Sequence, residues 1–115
     1  MQNTIPHSIS LADAIELTSR FRTNRTPDLP LAETFEKDSV IAMLSVPNAS
    51  RFRIYLGEKI NGDICSVLVA ADADGNDILP SSITVTADTD DDPPLILEDA
   101  FRCPDLCPPS SPLNS

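Results

Sequence analysis

Residues 51–71 constrain the fold most, because they hold two hydrophobic segments on either side of an Asn61-Gly62 pair. From Phe52 to Leu56, every second residue is apolar, which is typical of a half-buried β-strand. Asn-Gly is favoured in a two-residue hairpin turn, because both residues of that turn need a positive φ. We therefore predict an antiparallel β-hairpin.

A two-residue turn at this position also predicts which residues lie opposite each other in the hairpin. The predicted pairs are Leu56 with Val67, Ile54 with Val69, Phe52 with Ala71, and Arg51 with Asp72. One face of the hairpin would then be entirely apolar, formed by Phe52, Ile54, Leu56, Cys65, Val67 and Val69. Residues 64–71 are apolar on both faces, which predicts a central strand, and the alternation in residues 82–87 predicts a third strand beside it.

Helix signals flank the hairpin on its N-terminal side. Ser10 precedes an apolar stripe of helical spacing that continues to Phe21, and Ser10 is a helix-capping residue. A shorter helix is predicted from about Asp38 or Ser39 to Ser45. We therefore predict an α+β fold, in which one longer and one short helix pack on a small antiparallel sheet of about three strands. The fold would include an acidic, Pro-rich C-terminal tail. Residues 1–101 would form a single domain, and residues 102–115 a Pro-rich, Cys-containing tail.

Charge is distributed very unevenly along the 115 residues. Lys and Arg number 8 against 18 Asp and Glu, and the resulting charge of −10 falls entirely within residues 61–115, where Arg102 is the one base. This balance argues against binding nucleic acid through its phosphates, and no apolar segment approaches the ~20 residues of a membrane helix. We predict protein-binding roles for basic and acidic groups that would meet between copies or with a partner: Arg51, Arg53, Arg20, Arg22, Arg25, Asp90, Asp91 and Asp92.

Two clusters are weak candidates for metal ligands. Asp72, Asp74 and Asp77 resemble a calcium loop, but the spacing departs from the EF-hand, and an acidic turn with a positive φ at Gly75 also explains the cluster. Another candidate is the Cys-x₃-Cys pair, for zinc, although a structural zinc site needs four ligands. Its two members are Cys103 and Cys107. All three cysteines are expected to be reduced thiols, with Cys65 buried, and no cofactor is predicted.

Catalytic signals are sparse. His7 is the single histidine and lies near the N-terminus, and the chain contains neither a nucleophile elbow nor a phosphate-binding loop. We therefore predict that the protein is not an enzyme.

Three blocks of sequence resemble a group of small uncharacterised bacterial proteins. They are residues 9–15 with Arg20-Phe-Arg, residues 53–57 followed by 67–78, and the end of the chain from Cys103 to Pro108. The resemblance covers most of the chain. It implies a bacterial origin and no particular activity.

The favoured hypothesis is a non-enzymatic interaction or assembly protein, with a sheet edge or the tail used between subunits of a homo-oligomer. One alternative is an acidic inhibitor, such as an immunity protein or antitoxin, of a basic toxin. Another is a metal-dependent regulator. Residues 1–7 lack a basic start and an apolar segment, so a cytoplasmic location is expected.

Overall fold

The computed structural model describes residues 5–80, 95–104 and 106–114. Two helices and five strands lie in these ranges: α1 Leu11–Asn24, β1 Ala32–Thr34, α2 Lys37–Leu44, β2 Arg51–Glu58, β3 Ile64–Ala71, β4 Asp77–Ile78 and β5 Phe101–Cys103. β2, β3 and β4 form one antiparallel sheet in that order, and β1 pairs antiparallel with β5. The predicted α+β class is confirmed. The predicted strand over residues 82–87 lies outside the described residues.

The two helices differ in how deeply they are buried. Ser10 caps α1 as predicted, since its Oγ accepts a hydrogen bond of 3.0 Å from the Asp13 N–H. α1 nevertheless has no buried residue, whereas α2 places the fully buried Met43 against β3. Met43 forms the core with Leu68 and Ala70 of β3. α2 is therefore the helix that packs a buried side chain on the sheet.

The hairpin forms, but its register differs by one residue from the prediction. Its observed pairs are Leu56 with Ser66, Ile54 with Leu68, and Phe52 with Ala70. The Lys59 N–H donates to the Asp63 carbonyl at 2.8 Å and the Gly62 N–H donates to the Lys59 carbonyl at 2.9 Å. Gly62 has a φ of 96°. The loop therefore has three residues, Ile60 to Gly62, and ends in a glycine bulge rather than forming a two-residue turn.

This one-residue difference moves half of the predicted apolar face to the other side of the sheet. Cys65, Val67 and Val69 lie on the face opposite Phe52 and Ile54. The predicted register kept one face free of polar residues, whereas the observed register places Ser66 opposite Leu56. Because β3 is otherwise apolar on both faces, the hydrophobic pattern did not exclude the observed register. The predicted Arg51 and Asp72 pair is also absent, since Arg51 lies opposite Ala71.

The second sheet covers one end of β3 on the side away from β2. The Ile64 N–H donates to the Asp28 carbonyl at 2.8 Å, and the Leu31 N–H donates to the Cys103 carbonyl at 2.7 Å. The predicted boundary between residues 101 and 102 falls inside β5, so the fold continues at least to Cys103. Neither helix in the described ranges has the length and hydrophobicity needed to cross a membrane.

Candidate functional site

β2 is an edge strand, with β3 on one side and no strand of the described residues on the other. In an antiparallel pair the residues alternate between those that exchange backbone hydrogen bonds and those that do not. The Lys59 and Asp63 bond sets the odd-numbered residues of β2 toward β3. The N–H and C=O groups of Phe52, Ile54 and Leu56 therefore face away from β3, and we call these groups and their side chains the β2 edge.

The side chains of the β2 edge are apolar and exposed. Phe52 is 46% exposed, Ile54 55% and Leu56 79%, and all three lie on one face because alternate residues of a strand share a face. Isolated exposed apolar residues are common, whereas large contiguous apolar patches mark interaction surfaces. The β2 edge sets three exposed apolar side chains on one face and is therefore a candidate surface.

A groove of about 370 Å³ lies between the β2 edge and the segment that contains β1. Its lining is largely apolar and includes Pro30, Ala32, Phe35, Phe52, Ile54 and Leu68, with Glu33 and Ser66 as the polar members. The groove extends the apolar surface beyond the strand itself, so a partner could contact both.

Glu33, the one charged residue in the groove lining, is fully engaged within the chain. Its Oε2 pairs with Arg102 Nη1 at 2.9 Å, and its Oε1 accepts from the Ser66 N–H at 3.0 Å. The same Arg102 nitrogen donates to the Ile64 carbonyl at 2.5 Å. These bonds join the two sheets and leave neither carboxylate oxygen without a partner, so the role of Glu33 is structural.

The opposite face of β2 carries a polar cluster. Arg53 Nη1 donates to Asp77 Oδ1 at 2.5 Å and to the Gly75 carbonyl at 3.0 Å, and the Tyr55 hydroxyl donates to Asp77 Oδ2 at 2.5 Å. The hydrogen bond from Tyr55, with that from Arg53, lowers the pKa of Asp77. The hydrogen bond to Asp77 raises the pKa of Arg53. Arg53, a predicted protein-binding residue, is thus held by its own chain.

The candidate calcium loop is a hydrogen-bonded turn. Asp72 Oδ1 accepts from the N–H groups of Asp74 at 3.0 Å and Asn76 at 2.9 Å, and the bond from Asn76 lowers the pKa of Asp72. Gly75 has the predicted positive φ, at 93°. No group of three or more His, Cys, Asp or Glu side chains that could hold a metal occurs within residues 5–80, 95–104 and 106–114.

The cysteines require a correction. Cys103 and Cys107 form a disulfide bond, so the prediction that all three cysteines are reduced is wrong for this pair. A disulfide has no thiolate to offer, which removes both residues as zinc ligands in this state. Cys65 is free and buried, as predicted.

The other predicted contact residues are dispersed. Arg20 lies 3.9 Å from Glu16, Arg22 Nη1 donates to the Leu113 carbonyl at 2.6 Å, and Arg25 Nε donates to the Leu29 carbonyl at 2.5 Å. The Arg51 guanidinium makes no hydrogen bond or ion pair with the part of the chain that the structure describes, although the Arg51 backbone pairs with Ala71 in the sheet. The acidic partners Asp90, Asp91 and Asp92 lie outside that part.

The three apolar residues of the β2 edge, Phe52, Ile54 and Leu56, were not among the predicted site residues. Their signal was nevertheless present, because the alternation from Phe52 to Leu56 adjoins a predicted central strand and leaves one strand edge without a neighbour. Comparison of the chain with protein families, with curated proteins and with solved structures found no match. Function is therefore argued from the site alone.

Proposed function

We propose that this protein is a non-enzymatic interaction protein that binds a protein partner at the β2 edge. The observation that carries the proposal concerns Phe52, Ile54 and Leu56. Their outward backbone groups have no hydrogen-bond partner among the described residues, and their apolar side chains are exposed. An added strand would satisfy the backbone groups while its side chains cover the apolar ones, which is the β-augmentation mode of recognition.

The polar groups around this surface support binding over catalysis. Glu33 is held by Arg102 and Ser66, and on the other face Asp77 is held by Arg53 and Tyr55. A general acid or base needs a free oxygen or nitrogen within reach of a substrate, and these carboxylates are occupied. The bonds to Asp77 tie Arg53 and Tyr55 of β2 to β4.

The location of the protein is part of the proposal. A cytoplasmic location is the expectation from the N-terminal sequence. The disulfide between Cys103 and Cys107 supports an oxidising environment instead, because cytosolic thiols are kept reduced. Alkylation of thiols in intact cells distinguishes the two locations. Alkylated Cys103 and Cys107 indicate reduced thiols and the cytoplasm, whereas unmodified cysteines that react only after reduction indicate the disulfide and an oxidising environment.

Affinity purification with a matched pair of variants tests the proposed function. The tagged full-length chain is compared with I54K and with the control L79K, in cells that also express the untagged chain. Ile54 and Leu79 are similarly exposed, at 55% and 52%, but Leu79 follows β4 and lies outside the β2 edge. The wild type and L79K are expected to retain the same partner, and I54K to retain about tenfold less of it.

Equal retention by I54K and the wild type would show that the partner binds elsewhere. Retention of no protein by the wild type, its untagged copy included, would contradict the proposed function altogether. Recovery of a basic toxin-like protein would identify the acidic inhibitor described among the alternatives.

A further inference from the structure

We propose, building on the function above, that the partner at the β2 edge is a second copy of this chain. The two β2 strands would pair antiparallel about a two-fold axis that passes beside Ile54. A two-fold axis makes the same surface serve both subunits, which is the commonest arrangement in homo-oligomers. The two three-stranded sheets would then join into one continuous sheet.

Within the residues that the structure describes, the β2 edge lacks the features that keep sheet edges from pairing. Proteins protect exposed edges with prolines, bulges, lysines or inward-pointing charges. Residues 52–56 contain no proline and no lysine, and β2 pairs with β3 without interruption along its whole length. Arg53, the one charged residue in this segment, points to the other face and is engaged with Asp77.

The register follows from the side chains. A two-fold axis perpendicular to the sheet keeps each side chain on its own face, so even-numbered residues lie opposite even-numbered ones. With Ile54 opposite its own copy, Phe52 lies opposite Leu56, and Arg53 lies opposite Tyr55. The apolar side chains of both copies then form one ladder, and about six backbone hydrogen bonds join the strands.

Every neighbouring position of the axis places two cations opposite each other. An axis at Phe52 sets Arg51 opposite Arg53, and an axis at Arg53 sets that residue opposite itself. An axis at Tyr55 sets Arg51 opposite Lys59, and an axis at Leu56 sets Arg53 opposite Lys59. Arg53 and Lys59 each also pair with a carboxylate of their own chain, Asp77 and Glu98, which reduces the repulsion in these two registers. Like charges directly opposite each other destabilise a strand pair. Among these positions, the strand is self-complementary at Ile54 alone, which favours a second copy over an unrelated strand as the occupant.

Charge complementation at one position tests both the dimer and its register. I54K alone and I54E alone place like charges opposite each other at the axis, and each is expected to raise the dimer dissociation constant about tenfold or more. An equimolar mixture of I54K and I54E places opposite charges there, and the constant is expected to return to within about threefold of the wild type. Sedimentation velocity over a concentration series measures all three.

Leu56 provides the matched control. In the proposed register Leu56 lies opposite Phe52, so its own copy is four residues away along the strand, about 13 Å. That distance exceeds the screening length of about 8–10 Å at ordinary salt. A mixture of L56K and L56E is therefore expected to recover no more affinity than either variant alone.

A measurement on the unaltered protein guards against misfolding of the variants. In the dimer the backbone amides of Ile54 and Leu56 are hydrogen-bonded, so their hydrogen exchange is expected to slow as protein concentration rises. The amide of Ile60, at the tip of the hairpin, serves as the reference that does not change.

The proposal is overturned by a wild type that stays monomeric at every concentration with fast exchange at Ile54. Dimerisation of I54K with wild-type affinity also overturns it, as does a mixture at Ile54 that recovers no better than the mixture at Leu56. A monomeric wild type that still retains a different protein at the β2 edge in affinity purification refutes the second copy alone and leaves the proposed function intact.

Discussion

β2 and β3 are neighbouring strands of eight residues each, yet they differ in how far they are buried. β3 is covered on both edges: β2 lies on one side, and β4, Leu97 and Asp28 lie on the other. Among the described residues β2 has a neighbouring strand on one edge, and its apolar side chains are 46% exposed or more. Position in the sheet, rather than hydrophobicity, therefore decides which strand forms the core and which presents a binding surface.

β2 and β3 also differ in the polar interactions at their outer edges. Glu33, Arg102 and Ser66 join β3 to the second sheet, and both ion-pair partners there are largely buried, with side chains 9% and 18% exposed. The β2 edge has no comparable contact in the described part of the chain. A partner strand would form backbone hydrogen bonds with the outer edge of β2, as β4 and Leu97 do with the corresponding edge of β3.

The largest expected effect on stability is the difference between two leucine-to-alanine substitutions, one in β3 and one in β2. L68A removes a side chain that is 3% exposed in the core beside Met43 and is expected to lower the free energy of unfolding by about 3 kcal/mol. L56A, at 79% exposure, is expected to change it by less than about 0.5 kcal/mol. Urea denaturation at low protein concentration measures both, and equal losses would abolish the distinction between the strands.

A smaller effect is expected from the disulfide that closes a short loop just after β5. Reduction of the bond between Cys103 and Cys107 is expected to lower the free energy of unfolding by about 2 kcal/mol, because it frees the unfolded chain. The double variant C103S/C107S should not respond to the reductant. Thiol titration of the unfolded protein should find one free thiol before reduction and three after, and three before reduction would refute the bond.

The smallest effect concerns the other face of β2, where polar groups are already paired. Y55F removes the hydrogen bond that contributes most to lowering the pKa of Asp77, so that pKa should rise toward its ordinary value. A lowered carboxyl pKa stabilises the fold above the unfolded pKa of about 3.9, and this contribution is lost as pH falls through the folded pKa. Y55F should therefore lose less stability between neutral and acid pH.

Carboxyl NMR titration provides the measurement, and Asp72 is its internal control. The pKa of Asp72 is lowered mainly by the Asn76 N–H, a bond that Y55F leaves in place. Movement of both carboxyls together would show that the variant had disturbed the whole sheet, and no movement of Asp77 would refute the assigned cause.

Much of the local structure could be predicted, because it depends on residues close together in the chain. The cap at Ser10, the positive φ at Gly75 and the hairpin itself were predicted and are confirmed. The register was predicted wrongly, since Asn61-Gly62 is compatible with both a two-residue turn and the last residues of a three-residue loop. β1 and β5 were not predicted, because three-residue strands leave almost no periodic signal.

What the sequence determined by itself is the set of local elements and the uneven charge, since capping, turn formation and alternation each involve a few neighbouring residues. Tertiary contacts were needed to show that Arg53 is bound by Asp77 and that Cys103 and Cys107 are joined. They also show that no strand of the described residues lies beyond Phe52, Ile54 and Leu56. Apart from the disulfide, whose cysteines are four residues apart, these outcomes depend on contacts between distant segments. A one-residue change of register moves every side chain of a strand to the other face of the sheet. Because β3 carries apolar residues on both faces, its sequence pattern did not exclude this change.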